Sequence, residues 1–367
     1  MGLRTWNSVL EQTMHDIPAT ANSGSPHATP ERRRGGPRPE FRSRAVWVAW
    51  QRHRRTLELT RALGLELRCF IYGGPRIVRH PLALVSTARL LLSRRPSLVF
   101  VQNPSVVLAA FVCALKVILR LRIVVDRHSN FDFSNTESGL FNLLSNFSLR
   151  LADLTIVTNQ QVKRLAESKG ARAVVLPDRV PLLRQPRPLR LPGRWNVVCA
   201  STFSADEPIR EILEAARGLD ADWRVYITGN PRGKLRDMAG SVPETVVLTG
   251  YLPDHLYEAL LASADLVLAL TTRPHTLLCS AYEALSLGKP LVTSQTDVLV
   301  RTFYKGVVHT IPSAGSIRAA LERAARDHRR LRQEIVELRA ELEKEWEARF
   351  EELSRELGRL IGLEERP

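Results

Sequence analysis

The chain is poor in the residues that staple, ligate or span. Its four cysteines (Cys69, Cys113, Cys199 and Cys279) are far apart, with no Cys-x-x-Cys pair and no histidines at ligand spacing. That excludes a disulfide framework and a zinc site, and it fits reduced, mostly buried thiols of a cytosolic protein. The one long apolar run, Val106–Leu121, carries Lys116 and Arg120 and is shorter than the roughly 20 residues a spanning helix needs. It is expected to be a buried crossover helix. Residues 1–43 hold no apolar stretch of the kind a secretory signal requires. No Gly-x-Gly-x-x-Gly follows a predicted strand, so the dinucleotide fingerprint is missing. Aromatics are only 6% of the chain and are not interleaved with the basic residues. With no common binding module visible either, no nucleic-acid partner is expected.

What is present is length and an uneven charge. The 367 residues suffice for two cores of ordinary size. The net charge is +15, yet residues 1–190 carry +18 and the remainder −3. Arginine-rich composition alone does not explain that asymmetry; an anionic partner such as a membrane surface does. Residues 1–43, with their Pro, Gly and Ser and the run Arg32–Arg34, read as a disordered basic tail.

From Ala45 the pattern alternates. Apolar runs at Ala45–Trp50, Glu66–Ile71, Ser97–Gln102, Arg122–Asp126, Leu154–Thr158 and Ala173–Pro177 are separated by helical segments. Short, nearly continuous apolar strands between helices indicate a parallel sheet covered on both faces. The Pro/Arg-rich stretch Pro181–Arg194 interrupts the pattern. A second series follows at Trp195–Ala200, Trp223–Thr228, Thr245–Gly250, Leu266–Leu270 and Pro290–Ser294. The expected organisation is a tail (1–43), a first α/β domain (44–183), a linker (184–194), a second α/β domain (195–330) and a terminal helix (331–367). One helical tract is expected over Ser316–Ile361, with Leu331, Ile335, Leu338, Leu342, Trp346, Phe350, Leu353, Leu357 and Leu360 at three- and four-residue steps. It reads either as a coiled-coil dimer or as a helix whose distal part returns to the first domain on Trp346 and Phe350.

The segment Leu261–Ser294 is the most informative. It reads as a helix end, a buried strand, a polar loop, a helix from about Cys279 and a further strand after Gly288-Lys289-Pro290. A loop at the carboxyl end of a parallel strand feeding a helix is where open sheets take phosphorylated ligands. Glu283 sits one turn into that helix, placed to grip a sugar diol.

These residues resemble the GT-B glycosyltransferases of the family-4, group 1 type. The likeness covers about Ala45–Phe350 and is most specific at Ser201–Ile209, Tyr226–Asn230, Leu248–Asp254 and Leu277–Pro290. A thinner likeness, through Val101–Ser105 (VQNPS), is to the chitobiosyldiphosphodolichol β-mannosyltransferases. The resemblance implies two Rossmann-like domains facing a cleft, a long C-terminal helix, and a nucleotide-sugar as co-substrate with no other cofactor. It implies that Glu283 accepts from the ribose hydroxyls, that the amides of Leu277 and Leu278 face the pyrophosphate, and that Ser201, Thr202, Gly229 and Lys234 flank it. On the first domain, His128 is implied at the transferred sugar, with Gln102 and Asn103 beside it. Arg52, His53 and Arg54 fall where acceptors approach, or else form a solvated helix start.

The departures are specific. Where many members carry an acidic residue ahead of the matching glutamate, this chain has His275, here a candidate catalytic residue. The usual Arg and Lys of the first loop are replaced by Thr202 and Glu207, leaving Arg232, Lys234, Arg273 and Lys289 as candidate cations. Metal-independent transfer is expected, on the reading that the chain offers no Asp-x-Asp for Mg²⁺ or Mn²⁺. The implied function is transfer of a hexose from a UDP- or GDP-sugar to a glycan or lipid-linked acceptor, in cell-envelope polysaccharide assembly. The implied place is cytoplasmic, peripheral on the inner face of the membrane, with a homodimer through the C-terminal helix as one option. A catalytically retired scaffold and a nucleotide-sugar 2-epimerase are the alternatives, and retaining or inverting outcome stays open.

Overall fold

In the computed structural model, which describes residues 44–103, 105–128, 139–183, 188–231 and 242–362, each apolar run above is a strand of a parallel sheet. The tail of residues 1–43 and Lys234 lie outside the described residues. The first series runs β1 (Ala45–Ala49), α1 (Arg54–Leu63), β2 (Glu66–Cys69), α2 (Arg76–Arg94), β3 (Leu98–Asn103) and α3 (Val106–Leu119). It continues with β4 (Arg122–Arg127), α4 (Gly139–Leu151), β5 (Leu154–Val157), α5 (Gln160–Ser168) and β6 (Ala173–Val175). Its sheet has the order β2-β1-β3-β4-β5-β6.

The second series is β7 (Trp195–Cys199), α6 (Ile209–Arg217), β8 (Trp223–Thr228), β9 (Val246–Gly250), α7 (Asp254–Ser263) and β10 (Leu266–Ala269). Then come α8 (Cys279–Ser286), β11 (Leu291–Ser294), α9 (Asp297–Thr302), β12 (Val307–Thr310), α10 (Ala314–Arg326) and α11 (His328–Ile361). This sheet is ordered β12-β11-β10-β7-β8-β9, the doubly wound arrangement of a nucleotide-binding domain. The chain divides into two units, one of residues 44–179 with the helix from Lys344 onward, the other Val180–Glu343.

Burial on both faces explains the composition of the central strands. In the first unit, one face of the sheet packs Trp47, Phe100, Val124 and Ile156 against Leu59 and Leu63 of α1 and against Trp346, Leu353 and Leu357 of α11. The other face packs Val46, Val99, Val101 and Val125 against Leu91 of α2 and Leu108, Val112 and Cys113 of α3. The run Val106–Leu121 is therefore a crossover helix, and no helix among the described residues is long and apolar enough to cross a membrane. In the second unit, Ile335 and Leu338 of α11 pack with Tyr282, Leu285 and Phe303. Each fully buried side chain of this size contributes about 1.5–3 kcal/mol.

Four expectations are corrected. The tract Ser316–Ile361 is two helices, broken at Asp327, after which His328 Nε2 reaches the Asp265 carbonyl at 3.2 Å. The run Glu66–Ile71 yields only a four-residue edge strand, β2, with Glu66 and Cys69 exposed. Cys69 and Cys279 are exposed, so only Cys113 and Cys199 are buried thiols. Strand β12 was not expected, because its residues Val307-Val308-His309-Thr310 are half polar and only alternately buried rather than a continuous apolar run.

Candidate functional site

Each sheet has a point where its crossovers diverge, and the loops at the carboxyl ends of the strands flanking it form a crevice. In the first unit those strands are β1 and β3, with β4 alongside; in the second they are β7 and β10.

The carboxyl ends of β3 and β4 bring polar side chains into the interior in register. Gln102 pairs with Asp126 and Asn103 with Arg127. All four are buried. Asp126 is the hub. Arg55, from the first turn of α1, donates from Nε to Asp126 Oδ1 at 3.0 Å and from Nη1 to Asp178 Oδ1 at 2.7 Å. Arg55 Nη2 also donates to the Leu176 carbonyl at 2.8 Å. His128 Nδ1 lies 3.0 Å from Asp126 Oδ2. The His53 ring lies 4.3 Å, centroid to centroid, from that of His128.

The charges are fixed by these neighbours. Burial alone would raise the Asp126 carboxyl, but Arg55 and His128 outweigh it and hold it at about 2. Burial, reinforced by His128, lowers His53 to about 4. Burial likewise lowers Arg127 to about 9, and its guanidinium donates to Ser145 of α4. An ionised Asp126 accepts from a proton-bearing Nδ1, and in the neutral ring of that tautomer His128 Nε2 is an acceptor. That Nε2, with both side-chain polar atoms of Gln102 and of Asn103, is buried without a hydrogen-bond partner among the described residues. Buried polar atoms are rarely left so, and five together mark a place for a hydrogen-bonding ligand.

In the second unit the loops after β7 and β10 are satisfied from within. The Glu207 carboxylate accepts from Ser201 Oγ at 2.6 Å, the Thr202 amide at 3.1 Å and the Ser204 amide at 3.2 Å. Asp206 accepts from Thr271 Oγ1 at 2.8 Å and pairs with Arg273 at 3.2 Å. Ser201 and Thr202 thus converge, but on a carboxylate of their own chain. Gly229 follows β8 at φ +97, and a Cβ there would stand 2.1 Å from the Ser201 carbonyl oxygen. Only glycine permits that approach of two loops.

Helix α8 starts at Cys279, with Leu278 at its N-cap making no side-chain hydrogen bond to the first turn. Leu277, just before it, is buried. Its Glu283 is buried and accepts from the Tyr257 hydroxyl of α7. His275 is half-buried on the loop between β10 and α8.

Several expected residues fall elsewhere. Arg52 is exposed at the end of the β1 loop. Arg54 is half-buried and engaged. Lys289 precedes β11, at the opposite end of the sheet, where burial and Arg332 lower its pKa. Arg232 and Lys234 are outside the described residues. An Asp-x-Asp sequence does occur, correcting the expectation, at Asp220 and Asp222. It precedes β8 at the amino end of the sheet, in an open pocket of about 430 Å³ lined also by Trp195, Trp223 and Glu322, away from the site loops. Among the described residues no group of three or more His, Cys, Asp or Glu is placed to hold a metal.

Sequence reasoning missed Arg55, Asp178 and the hub role of Asp126. The signal was there for one of them: Asp126 is the only carboxylate in an otherwise apolar strand interior.

Residues 194–327 match the family described as glycosyl transferases group 1. No curated protein matches the sequence. Among solved structures, the chain is similar to sucrose-phosphate synthase from Thermosynechococcus elongatus at 16% identity, covering 80% of this chain and 82% of that one, with a TM-score of 0.63. It is similar to Anabaena HepE in complex with UDP-glucose at 12% identity, covering 85% and 99%, with a TM-score of 0.65. A Listeria monocytogenes protein described as a UDP-N-acetylglucosamine 2-epimerase shares the fold at 13% identity, covering 79% and 82%, with a TM-score of 0.54. The chain has the GT-B fold, two Rossmann-like α/β domains with a long C-terminal helix. The match to the glycosyl transferases group 1 family lies within the chain's second unit.

Proposed function

We propose that the protein is a glycosyltransferase that moves a hexose from a UDP- or GDP-sugar to a glycan or lipid-linked acceptor. The observation that carries this reading is Glu283: a buried carboxylate on the helix after β10, inside the segment that matches the group 1 family. An ionised carboxylate accepts only, which suits a ribose diol. The amides of Leu277 and Leu278 take the pyrophosphate, with Ser201, Thr202 and Gly229 around it and His275 on the loop between β10 and α8. UDP in the HepE structure supports a uridine donor.

The first unit takes the acceptor, with Gln102 and Asn103 supplying its hydrogen bonds and His53, Arg52 and Arg54 at the approach. His128 Nε2 receives the acceptor hydroxyl proton or a hydrogen bond from the transferred sugar, and Asp126 holds the ring in the required tautomer. As the nucleoside diphosphate leaves, charge develops on its β-phosphate and is stabilised by fixed dipoles and cations rather than by a bound metal. The setting is cell-envelope glycan assembly at the inner face of the membrane.

The test is release of nucleoside diphosphate from UDP- and GDP-sugars with and without polyprenyl-pyrophosphate-linked sugar, in the presence of EDTA. Acceptor-dependent release is the expected result. Isomerisation of the donor with no acceptor would establish an epimerase, and inertness toward every donor would establish a retired scaffold.

A further inference from the structure

The first unit carries a surface that the transfer chemistry does not use. Residues 67–125 contain nine Lys or Arg and no Asp or Glu. Within this stretch α2 has its buried face at Ala83, Thr87 and Leu91, spaced four apart. The opposite face is apolar as well: Val78, Leu82, Val85 and Leu92 follow one another at helical steps, interrupted only by Arg89, and all are exposed. Ile77 ahead of them is 82% exposed.

Helix α4 repeats the pattern. Its inward face is Ser145, Ser148 and Leu149, while Leu140, Leu143 and Phe147 point to solvent at three- and four-residue steps and end on Arg150. Helix α3 packs against both and exposes Ile118 at 77%. Helices α2 and α4 thus present apolar stripes outward, with Ile118 of α3 between them. None of the three contains an Asp or Glu.

We propose that the outer face of α2, α3 and α4 docks the protein on an anionic lipid bilayer, its apolar stripes entering the headgroup boundary and Arg76, Arg79 and Arg89 meeting lipid phosphates. Charge selects this occupant. A second copy seated on the same face would bring the same arginines and no carboxylate to meet them. An apolar face flanked by arginines lies in the interface plane of a membrane, and no helix among the described residues is long and apolar enough to cross one. The inference names the surface for the membrane setting proposed above and is independent of the donor and acceptor assignments, so vesicle binding and sugar transfer fail separately.

The experiment is flotation of the full chain with vesicles of phosphatidylcholine alone or mixed with phosphatidylglycerol. The expected result is partition onto the mixed vesicles. It should fall about fivefold for each arginine removed in Arg76→Ser, Arg79→Ser and Arg89→Ser. Leu82→Ser with Val85→Ser, and Leu143→Ser with Phe147→Ser, should lower it by about tenfold for each apolar group removed. Because these side chains are exposed, the variants keep the parent melting temperature. No partition by the parent chain would overturn the proposal. So would partition unchanged in both apolar pairs, or self-association of the parent in the absence of lipid that the same pairs abolish.

Discussion

The polar ends of the two sheets solve the same problem in opposite ways. In the first unit the side-chain polar atoms of Gln102 and Asn103 and His128 Nε2 are buried and have no hydrogen-bond partner among the described residues. In the second, the Ser201 hydroxyl, the Thr202 amide and hydroxyl and the Ser204 amide are already taken by Glu207, and the hydroxyls of Ser204 and Thr271 by Asp206. One site is short of hydrogen-bond partners and the other has supplied its own. On the proposed reading the first is preorganised for a hydroxyl-rich acceptor. The second takes its ligand beside Glu207 or in exchange for it, and its loops are held in shape meanwhile.

Breaking the hub tests the first half of that contrast. Asp126→Ala leaves the Nε side of the buried Arg55 guanidinium unpaired while Asp178 and the Leu176 carbonyl still hold the rest, so the loss should fall at or below the lower end of the about 3–5 kcal/mol that breaking a buried pair costs. Urea unfolding should show that loss, with Asp126→Asn intermediate. Gln102→Leu probes the unpartnered atoms directly. It should stabilise the free protein by about 1–3 kcal/mol, the cost of leaving such groups buried and unpaired, while abolishing transfer. Ser201→Ala in the second unit should do the reverse and destabilise by about 0.5–1.5 kcal/mol, since its hydroxyl is satisfied.

Acid titration sharpens the comparison further. His53 is held neutral in the fold, its pKa lowered to about 4. Between about pH 6.5 and 4 the unfolded chain binds a proton that the folded chain refuses. Stability therefore falls as the pH is lowered through that window, by at most about 1.4 kcal/mol per pH unit. His53→Asn should flatten the slope there. Asp126, held at about 2, keeps its contribution until the pH falls below about 4 and loses it toward 2.

Much of this was legible before the fold was in view. The apolar runs are short and continuous because both sheets are covered on both faces, so strand positions and their parallel sense could be read directly. Glu283 was legible through its motif and its helical position. The hub was not. Arg55 and Asp178 are 123 residues apart, and only the closing of β1 onto the strands beside it makes them neighbours. Nor was the role of Glu207 legible. As a residue it reads as a missing cation, and only the loop geometry shows that its carboxylate draws in the amides around it. The exposed stripes of α2 and α4 escaped for a related reason: a helix apolar on two faces reads as buried until its neighbours are known.

The measurement that bears most directly on the account is thermal unfolding of the purified protein with UDP- and GDP-sugars, for the parent chain and for Glu283→Ala. At a hundred times its dissociation constant a donor should stabilise the parent by about 2.7 kcal/mol and leave Glu283→Ala unshifted, while Gln102→Leu still responds. Equal stabilisation of the parent and Glu283→Ala, or none by any donor, would contradict a nucleotide-sugar site on this helix.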